Sequence, residues 1–400
     1  MGFGQGLSGL NAAAQNLDVI GNNVANSSTV GFKSSKASFA DVYATSRVGL
    51  GVKVSEINQR FTTGQITTSS GAYHMAIDGE NGFFRLLDTN GNIAYSRNGE
   101  FQLDKNNRVV NAQGYALTGY PAGGVGLDPL PIDIPQGNIA PQATGSLRVQ
   151  ANLPANAAVP TIAFDPAIQE TYTASVPTTV YDSLGNAHAL TQYFVKQAPN
   201  AAGESSYVVH NILDGDPASL QTQVLTFNSA GLMTSPPTAA LSYPDPGLAG
   251  APAETLDITV NYIGTTQYGG AFKQTTNADG YTTGVFSGVS IGADGSILGN
   301  YTNGQTQVVG TVVLGSFANV QGLKPVGDNA WLESSESGAV TLGQPGSNGM
   351  SALAGQALEA SNVDMSTELV DMIVAQRTYQ ANAQTIKTQD QVLQTLLQIR

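Results

Sequence analysis

All 18 prolines of the chain lie between Pro121 and Pro345. Proline carries no backbone N–H and its ring clashes with the carbonyl four residues before it, so a long helix has room only in the proline-free ends. Ten of the prolines gather in two windows: Pro121, Pro129, Pro131, Pro135 and Pro141, then Pro236, Pro237, Pro244, Pro246 and Pro252. Both windows read as linkers or long loops. Helix-permissive ends around a punctuated middle is therefore the first constraint on the fold.

The C-terminal end uses that freedom. Met365, Leu369, Met372, Gln376, Tyr379, Ala383, Ile386, Asp390, Leu393, Leu397 and Arg400 step by four and three throughout, the seam of a coiled coil. Ser361 and Asp364 have the spacing of a helix-start capping box, with Asp364, Glu368 and Asp371 at the positive helix end. A helix packed on its own domain is the alternative reading. The N-terminal end steps the same way through Phe3, Leu7, Leu10, Ala14, Leu17, Gly21 and Val24. Gly9 and Gly21 sit inside this pattern, each costing a helix about 1 kcal/mol relative to alanine. At about 25 residues such a helix needs a partner surface, and the C-terminal helix, in its own chain or in neighbours, supplies one.

Strands fill the interior. Phe83–Leu87, Ile93–Arg97, Glu100–Leu103, Arg108–Val110 and Tyr115–Thr118 are short runs separated by Asn-Gly, Asn-Asn and Gln-Gly turns, the pattern of successive hairpins. Thr178–Tyr181, Thr191–Val195, Tyr207–Ile212, Val224–Phe227 and Leu256–Tyr262 form a second strand-rich stretch, and Val308–Leu314 belongs to a third. The fold class expected is mainly β with long terminal α-helices, discontinuous and multi-domain.

Composition excludes several functions. Lys+Arg 16 against Asp+Glu 29 gives a charge of −13 and no basic cluster, so the positive field a nucleic-acid binder needs is missing. Cysteine is absent, which removes disulfides, thiolate metal sites and a cysteine nucleophile. His74, His188 and His210 are scattered; His188 reads as a strand-edge residue, and the lone Trp331 as a core anchor. Gly4-Gln5-Gly6-Leu7-Ser8-Gly9 spells a dinucleotide fingerprint, but no strand precedes it and no βαβ unit surrounds it. No catalytic residue, cofactor or metal site is expected. No apolar run approaches the roughly 18 residues of a membrane span, and the first basic residue is Lys33, so neither membrane insertion nor a cleaved signal peptide is expected.

Long motifs at both ends then carry a family likeness. Leu10 to Asn26, including Asn22, Asn23 and Asn26, followed by Thr29-Val30-Gly31-Phe32-Lys33, resembles the N-terminal signature of bacterial flagellar rod and hook proteins. Ala357-Leu358-Glu359-Ala360-Ser361-Asn362-Val363-Asp364, with Glu368-Leu369-Val370 and Gln376 to Asn382, resembles their C-terminal signature. Asn81-Gly82-Phe83-Phe84 and Tyr95-Ser96-Arg97-Asn98-Gly99-Glu100-Phe101 resemble the β-module they share. Within that family the strand-rich insertion from about Gly145 to Gly284 looks like the outer domain of the hook members.

The resemblance implies a non-enzymatic structural subunit that polymerises into a flexible curved tube, extracellular and exported without a cleaved signal peptide through the flagellar type III apparatus. Its partners would be other copies of itself, a rod proximally, a hook–filament junction protein distally, and a hook cap during assembly. The domains expected are an N-terminal helix over 1–30, an extended linker over 31–70, a discontinuous β-domain over 71–144 and 285–360, an inserted outer β-domain over 145–284, and a C-terminal helix over 361–400. The terminal helices would pair as a coiled coil through Leu7, Leu10, Ala14, Leu17, Gly21 and Val24 on one side and Leu369, Met372, Tyr379, Ile386, Leu393 and Leu397 on the other. Another axial protein, such as a distal rod or junction subunit, and a secreted β-rich adhesin or glycan-active protein are the alternatives.

Overall fold

The structure, a computed structural model, describes residues 2–42, 51–124, 128–200, 204–244, 246 and 253–398, with side chains from residue 4 to residue 395. The chain divides into two compact units. One comprises Met1–Gln136, Gly288–Asn300 and Thr306–Arg400; the other comprises Gly137–Ser287 with Tyr301–Gln305.

The first unit contains both helices, α1 (Gly2–Ala25) and α2 (Met365–Gln398). At 1.5 Å per residue their lengths are about 36 and 51 Å. Asp364 caps α2: its Oδ1 accepts from the backbone N–H of Ser366 (2.9 Å) and Thr367 (3.3 Å), and Thr367 Oγ1 donates to Oδ2 at 3.1 Å. Those bonds hold the Asp364 carboxyl below the usual carboxylate range, the Thr367 backbone bond contributing most. The cap is thus Asp364 itself rather than Ser361, whose Oγ accepts from Val363 N–H at 3.4 Å. α1 ends where Asn26 Nδ2 donates to both the carbonyl and the Oδ1 of Asn22, each at 2.9 Å.

Residues 31–70 are not an extended linker. Ser35–Asp41 and Val52–Gln59 form an antiparallel ribbon, Ser35 opposite Gln59 and Asp41 opposite Val52, with a bulge between Ser38 and Phe39. Ile66–Thr68 then pairs antiparallel with Ala357–Glu359. Val52 and Val54 are half-buried while Lys53, Ser55 and Glu56 are exposed, as suits a half-covered ribbon, and α1 supplies the cover: Asn23 bonds Ser35 at one end of the ribbon, and Ser8 Oγ accepts from Val52 N–H (3.3 Å) at the other. Ala12 and Val19, both buried, lie on the helix face between those contacts.

The β-part of this unit includes short hairpins that turn at Asn90-Gly91, Asn106-Asn107 and Gln113-Gly114. Phe83–Leu87 pairs with Ile93–Ser96 (Arg85 opposite Tyr95) and with Ala116–Pro121 (Leu86 opposite Leu117), which in turn pairs with Thr306–Val312. Met75–Asp78 pairs with Ala352–Gly355, so sequence-distant segments close the module. Its aromatic core joins Phe61, Phe83, Tyr95, Phe317 and Trp331 in edge-to-face contacts, ring centroids 4.8–6.0 Å apart. Trp331 is buried there, and its Nε1 donates to Gln59 Oε1 at 2.7 Å.

The second unit contains two four-stranded sheets around one core. One is the meander Ala174–Tyr181, Ala187–Lys196, Ser205–Leu213, Gln221–Phe227; the other has the order Thr238–Tyr243, Leu256–Asn261, Ser146–Asn152, Lys273–Ala278. Strict alternation in Ser146–Asn152 and Leu256–Asn261 sends Leu147, Val149, Leu256, Ile258 and Val260 inward, against Phe194, Tyr207, Leu225 and Phe227 of the meander. Pro177 lies within Ala174–Tyr181, which is an edge strand and so spares the missing donor. His188 is not a plain strand-edge residue. It is buried, with Nδ1 2.6 Å from Asp214 Oδ2 and Nε2 3.4 Å from Asp182 Oδ2.

Candidate assembly interface and its buried anchor

α1 and α2 pack antiparallel. Asn23 Nδ2 donates to Glu368 Oε1 (3.2 Å) at one end. Toward the other end a Cβ built on Gly9 would lie 2.8 Å from Asn382 Oδ1, and one on Gly6 3.2 Å from Ile386 Cγ1. Two of the three glycines of the false nucleotide fingerprint, Gly6 and Gly9, therefore let the helices approach closely, which accounts for glycine at those two positions of α1.

The contact face of α1 is Gly6, Gly9, Ala13, Ile20 and Asn23, about a quarter turn from the stripe singled out by periodicity. Of that stripe, Leu10, Ala14, Leu17, Gly21 and Val24 are half-buried and Leu7 is exposed. A Cβ on Gly21 would meet nothing within 4 Å. Most of the stripe is thus only half-covered within the subunit, and Leu7 is left exposed.

On α2 the face toward α1 runs through Glu368, Met372, Ala375, Asn382 and Ile386, again in steps of three, four and seven. Met372 and Ile386 of the predicted set lie on it, and Tyr379 falls on the same face while remaining 37% exposed. Leu369 is turned outward beside Val370, Ile373 and Val374, all 45–59% exposed. Leu393 lies two turns beyond Ile386, where α1 has run out, and is 54% exposed with Val392 beside it. The side chains of Phe3 and Leu397, and residues 399–400, lie outside the described residues.

The motif residues that flank the helices do something different: they tie both chain ends to the β-module. Asn23 exchanges two hydrogen bonds with the backbone of Ser35, Nδ2 to the carbonyl at 2.8 Å and Oδ1 from the N–H at 2.9 Å. Asn362 brackets the neighbouring position, its Oδ1 accepting from Ser34 N–H (2.8 Å) and its Nδ2 donating to the Arg60 carbonyl (2.7 Å). Each amide stands in for a missing strand, satisfying backbone groups that would otherwise be buried unpaired. Gly31 adopts φ +69°, and its N–H donates to the Glu359 carbonyl at 2.8 Å. Its α-carbon sits so near Arg97–Asn98 that a Cβ would lie 2.6 Å from Asn98 N, so the position requires glycine twice over. Phe32 is buried next to it, while Ser361 and Val363 are half-buried.

At the centre Lys33, Glu359 and Arg97 form a buried ion triad. Lys33 Nζ lies 2.5 Å from Glu359 Oε1, which also accepts from Gly64 N–H at 2.9 Å, and Arg97 Nη1 lies 3.4 Å from Glu359 Oε2. All three side chains are at most 1% exposed. Lys33 also donates to the Thr62 carbonyl (2.8 Å), and Arg97 donates to the carbonyls of Gly79 (2.8 Å) and Glu80 while its guanidinium covers the Phe83 ring at 5.2 Å. Burial pushes both cations' pKa values below the ordinary ones, and the Glu359 charge opposes that push. Two cations on one carboxylate make Glu359 the group on which the node depends. Sequence periodicity missed Arg97 and Glu359 as site residues; the available signal was a charge set among small and apolar neighbours in a chain only 11% charged.

Among the described residues no three His, Asp or Glu side chains come together as a metal site, and no helix is long and apolar enough to cross a membrane.

Comparison with known proteins places these features. Residues 5–33 match the family model described as flagella basal body rod protein, 76–157 the flagellar hook protein FlgE/F/G D1 domain, 152–281 the flagellar basal body protein FlaE D2 domain, and 354–399 the flagellar basal body rod FlgEFG protein C-terminal. The class is therefore that of the flagellar rod and hook proteins. The chain is 46% identical over 411 residues to the flagellar hook protein FlgE of Salmonella typhimurium and 45% identical over 409 residues to that of Escherichia coli K12, each alignment covering 100% of both chains. The hook protein of Borreliella burgdorferi is 30% identical over 441 residues, covering 99% of this chain and 98% of that one. The chain belongs to the flagellar hook protein family. In fold it is similar to the crystal structure of Helicobacter pylori flagellar hook protein FlgE2, with a TM-score of 0.56 at 15% identity over 74% of this chain and 100% of that one.

Proposed function

We propose that this chain is the structural, non-catalytic subunit of a bacterial flagellar hook, polymerising into a flexible curved tube that passes motor torque to the filament. The observation that carries the reading is the apolar surface left on the paired helices: Leu7 on α1, and Leu369, Val370, Ile373, Val374, Val392 and Leu393 on α2. Burying such a side chain contributes roughly 1.5–3 kcal/mol, so a helix pair that leaves this many exposed gains most by meeting other copies of itself. The terminal helices are the inner, coiled-coil-like assembly layer in this account, and the β-units are the outer part. The further partners are a rod at one end, a hook–filament junction protein at the other, and the hook cap and type III export apparatus during assembly outside the cell.

The test is salt-induced assembly viewed by electron microscopy. The full chain forms tubes, while chains lacking residues 1–30 or 366–400 remain dispersed with their β-structure intact by circular dichroism. Tubes formed by both truncated chains would remove the helices from the assembly mechanism.

A further inference from the structure

We propose that Asn348–Gly349 is a site of spontaneous covalent modification, at which the Asn348 side-chain amide is lost and the backbone converts to a mixture of aspartyl and isoaspartyl linkages. The chain carries five Asn-Gly pairs, at Asn81, Asn90, Asn98, Asn303 and Asn348. Glycine after asparagine leaves the following amide nitrogen unshielded, so all five share the intrinsic chemistry. The fold separates them.

Four of the asparagine side chains are tied. Asn81 Nδ2 donates to the Gly349 carbonyl (3.3 Å), Asn90 Nδ2 to Asp88 Oδ2 (3.0 Å) and Asn303 Nδ2 to the Thr282 carbonyl (2.7 Å), while Asn98 Oδ1 accepts from Glu100 N–H at 2.9 Å. The nucleophilic nitrogens of Gly91 and Gly304 are also occupied, donating to the carbonyls of Asp88 and Tyr301, each at 3.0 Å. Asn348 differs. Its side chain has no hydrogen bond among the described residues, the Gly349 N–H donates to nothing there, and both residues are exposed. It sits at φ +50° in the tight turn closed by Met350 N–H to the Ser347 carbonyl (2.9 Å), with Gly349 at φ +78°. Opening that one bond frees the pair to reach the reactive geometry.

The chemistry balances without any oxidant or enzyme. The Gly349 amide nitrogen, giving up its proton, forms a bond to Asn348 Cγ; the Cγ–Nδ2 bond breaks, and ammonia leaves with the proton. Water then adds to either carbonyl of the resulting succinimide and opens it. The product carries a new carboxylate and, in the isoaspartyl form, one extra backbone methylene. Both fall in the turn whose Gly349 carbonyl receives Asn81 Nδ2 and whose neighbour Ser351 exchanges hydrogen bonds with Asn81 through its Oγ (3.1 Å) and its N–H (3.0 Å). Modification at this position therefore loosens the hold on the Asn81-Gly82 turn.

The experiment is peptide mass spectrometry of the full chain aged in mildly alkaline buffer, folded and in urea, with isoaspartyl linkages scored by methyltransferase labelling. In the folded chain Asn348 converts about fivefold or more faster than each of the other four pairs, the factor that one net hydrogen bond is worth. In urea all five converge. The folded-state preference disappearing, or any of the other four leading it, overturns the proposal. The Asn348→Gln chain, which keeps the amide but lengthens the tether, loses the product at this peptide alone; persistence of isoaspartyl label there also overturns it.

Discussion

Replacing Glu359 by glutamine tests whether one buried carboxylate holds both chain ends to the β-module. The substitution preserves shape and an oxygen able to accept from Gly64 N–H, now 2.9 Å away, so the change is one of charge. It leaves Lys33 and Arg97, at most 1% exposed, without their shared counter-charge. Breaking a buried pair by removing one partner costs about 3–5 kcal/mol. Lys33 limits the loss by releasing its proton, because burial already lowers its pKa and the Glu359 charge that opposes the drop is gone. Arg97 has no such escape, since a guanidinium stays protonated in proteins. A loss of about 3 kcal/mol, the lower end of that range, is the expected value. The assay is urea unfolding followed by tryptophan fluorescence, because the lone Trp331 is buried in the aromatic core of the same unit. A loss below about 1 kcal/mol, the scale of an exposed ion pair, would refute the argument that the triad is a desolvated, charge-dependent node.

Three further outcomes follow from the geometry. Gly31→Ala, placing a Cβ at φ +69° and 2.6 Å from Asn98 N, lowers the same Trp331-reported stability by more than about 1 kcal/mol; no change would mean the backbone there yields freely. Leu393→Asp, at a side chain 54% exposed, changes subunit stability by less than about 0.5 kcal/mol yet abolishes sedimentable tubes; a loss of core-mutation size would place Leu393 inside the subunit's own core. In the second unit burial raises the phenol of Tyr207 from 10.0 to about 12 and lifts those of Tyr243 and Tyr262 further. Their folded pKa values lie above the unfolded ones, so the stability they contribute is whole below pH 10.0 and declines as pH rises from there toward about 12. Tyrosinate absorbance for these three should therefore appear together with unfolding of the sandwich; gradual ionisation in an intact sandwich would contradict their burial.

Much of the fold was legible because it rests on local rules. Phe83–Leu87 was read with the ends it has, since Asn81-Gly82 and Asn90-Gly91 bracket an apolar run. Several other strands extend beyond the runs that local pattern marks: Ala187–Lys196 includes His188 and Lys196, polar residues that find partners only in the folded sandwich. The ribbon of Ser35–Asp41 and Val52–Gln59 is not legible locally, because its cover is α1, which no pattern in that segment announces. On α1 the face turned to α2 lies one step from the periodic stripe for a related reason, while Met372 and Ile386 of the α2 seam do face α1. Periodicity ranks leucines, whereas the face α1 turns to α2 is built of Gly6, Gly9, Ala13 and Asn23, chosen for close approach and not for hydrophobicity. The triad was illegible in principle from spacing, since Lys33, Arg97 and Glu359 meet only after the two ends close on the β-module.

The central claim is that the paired ends complete their burial only against other copies. Amide hydrogen exchange over residues 2–25 and 365–398, compared between dilute subunit and assembled tubes, tests it most directly. Weak protection of both helices in the subunit, rising in the tube to that of the β-core, is the outcome expected. Protection in the dilute subunit already equal to that of the β-core would contradict it.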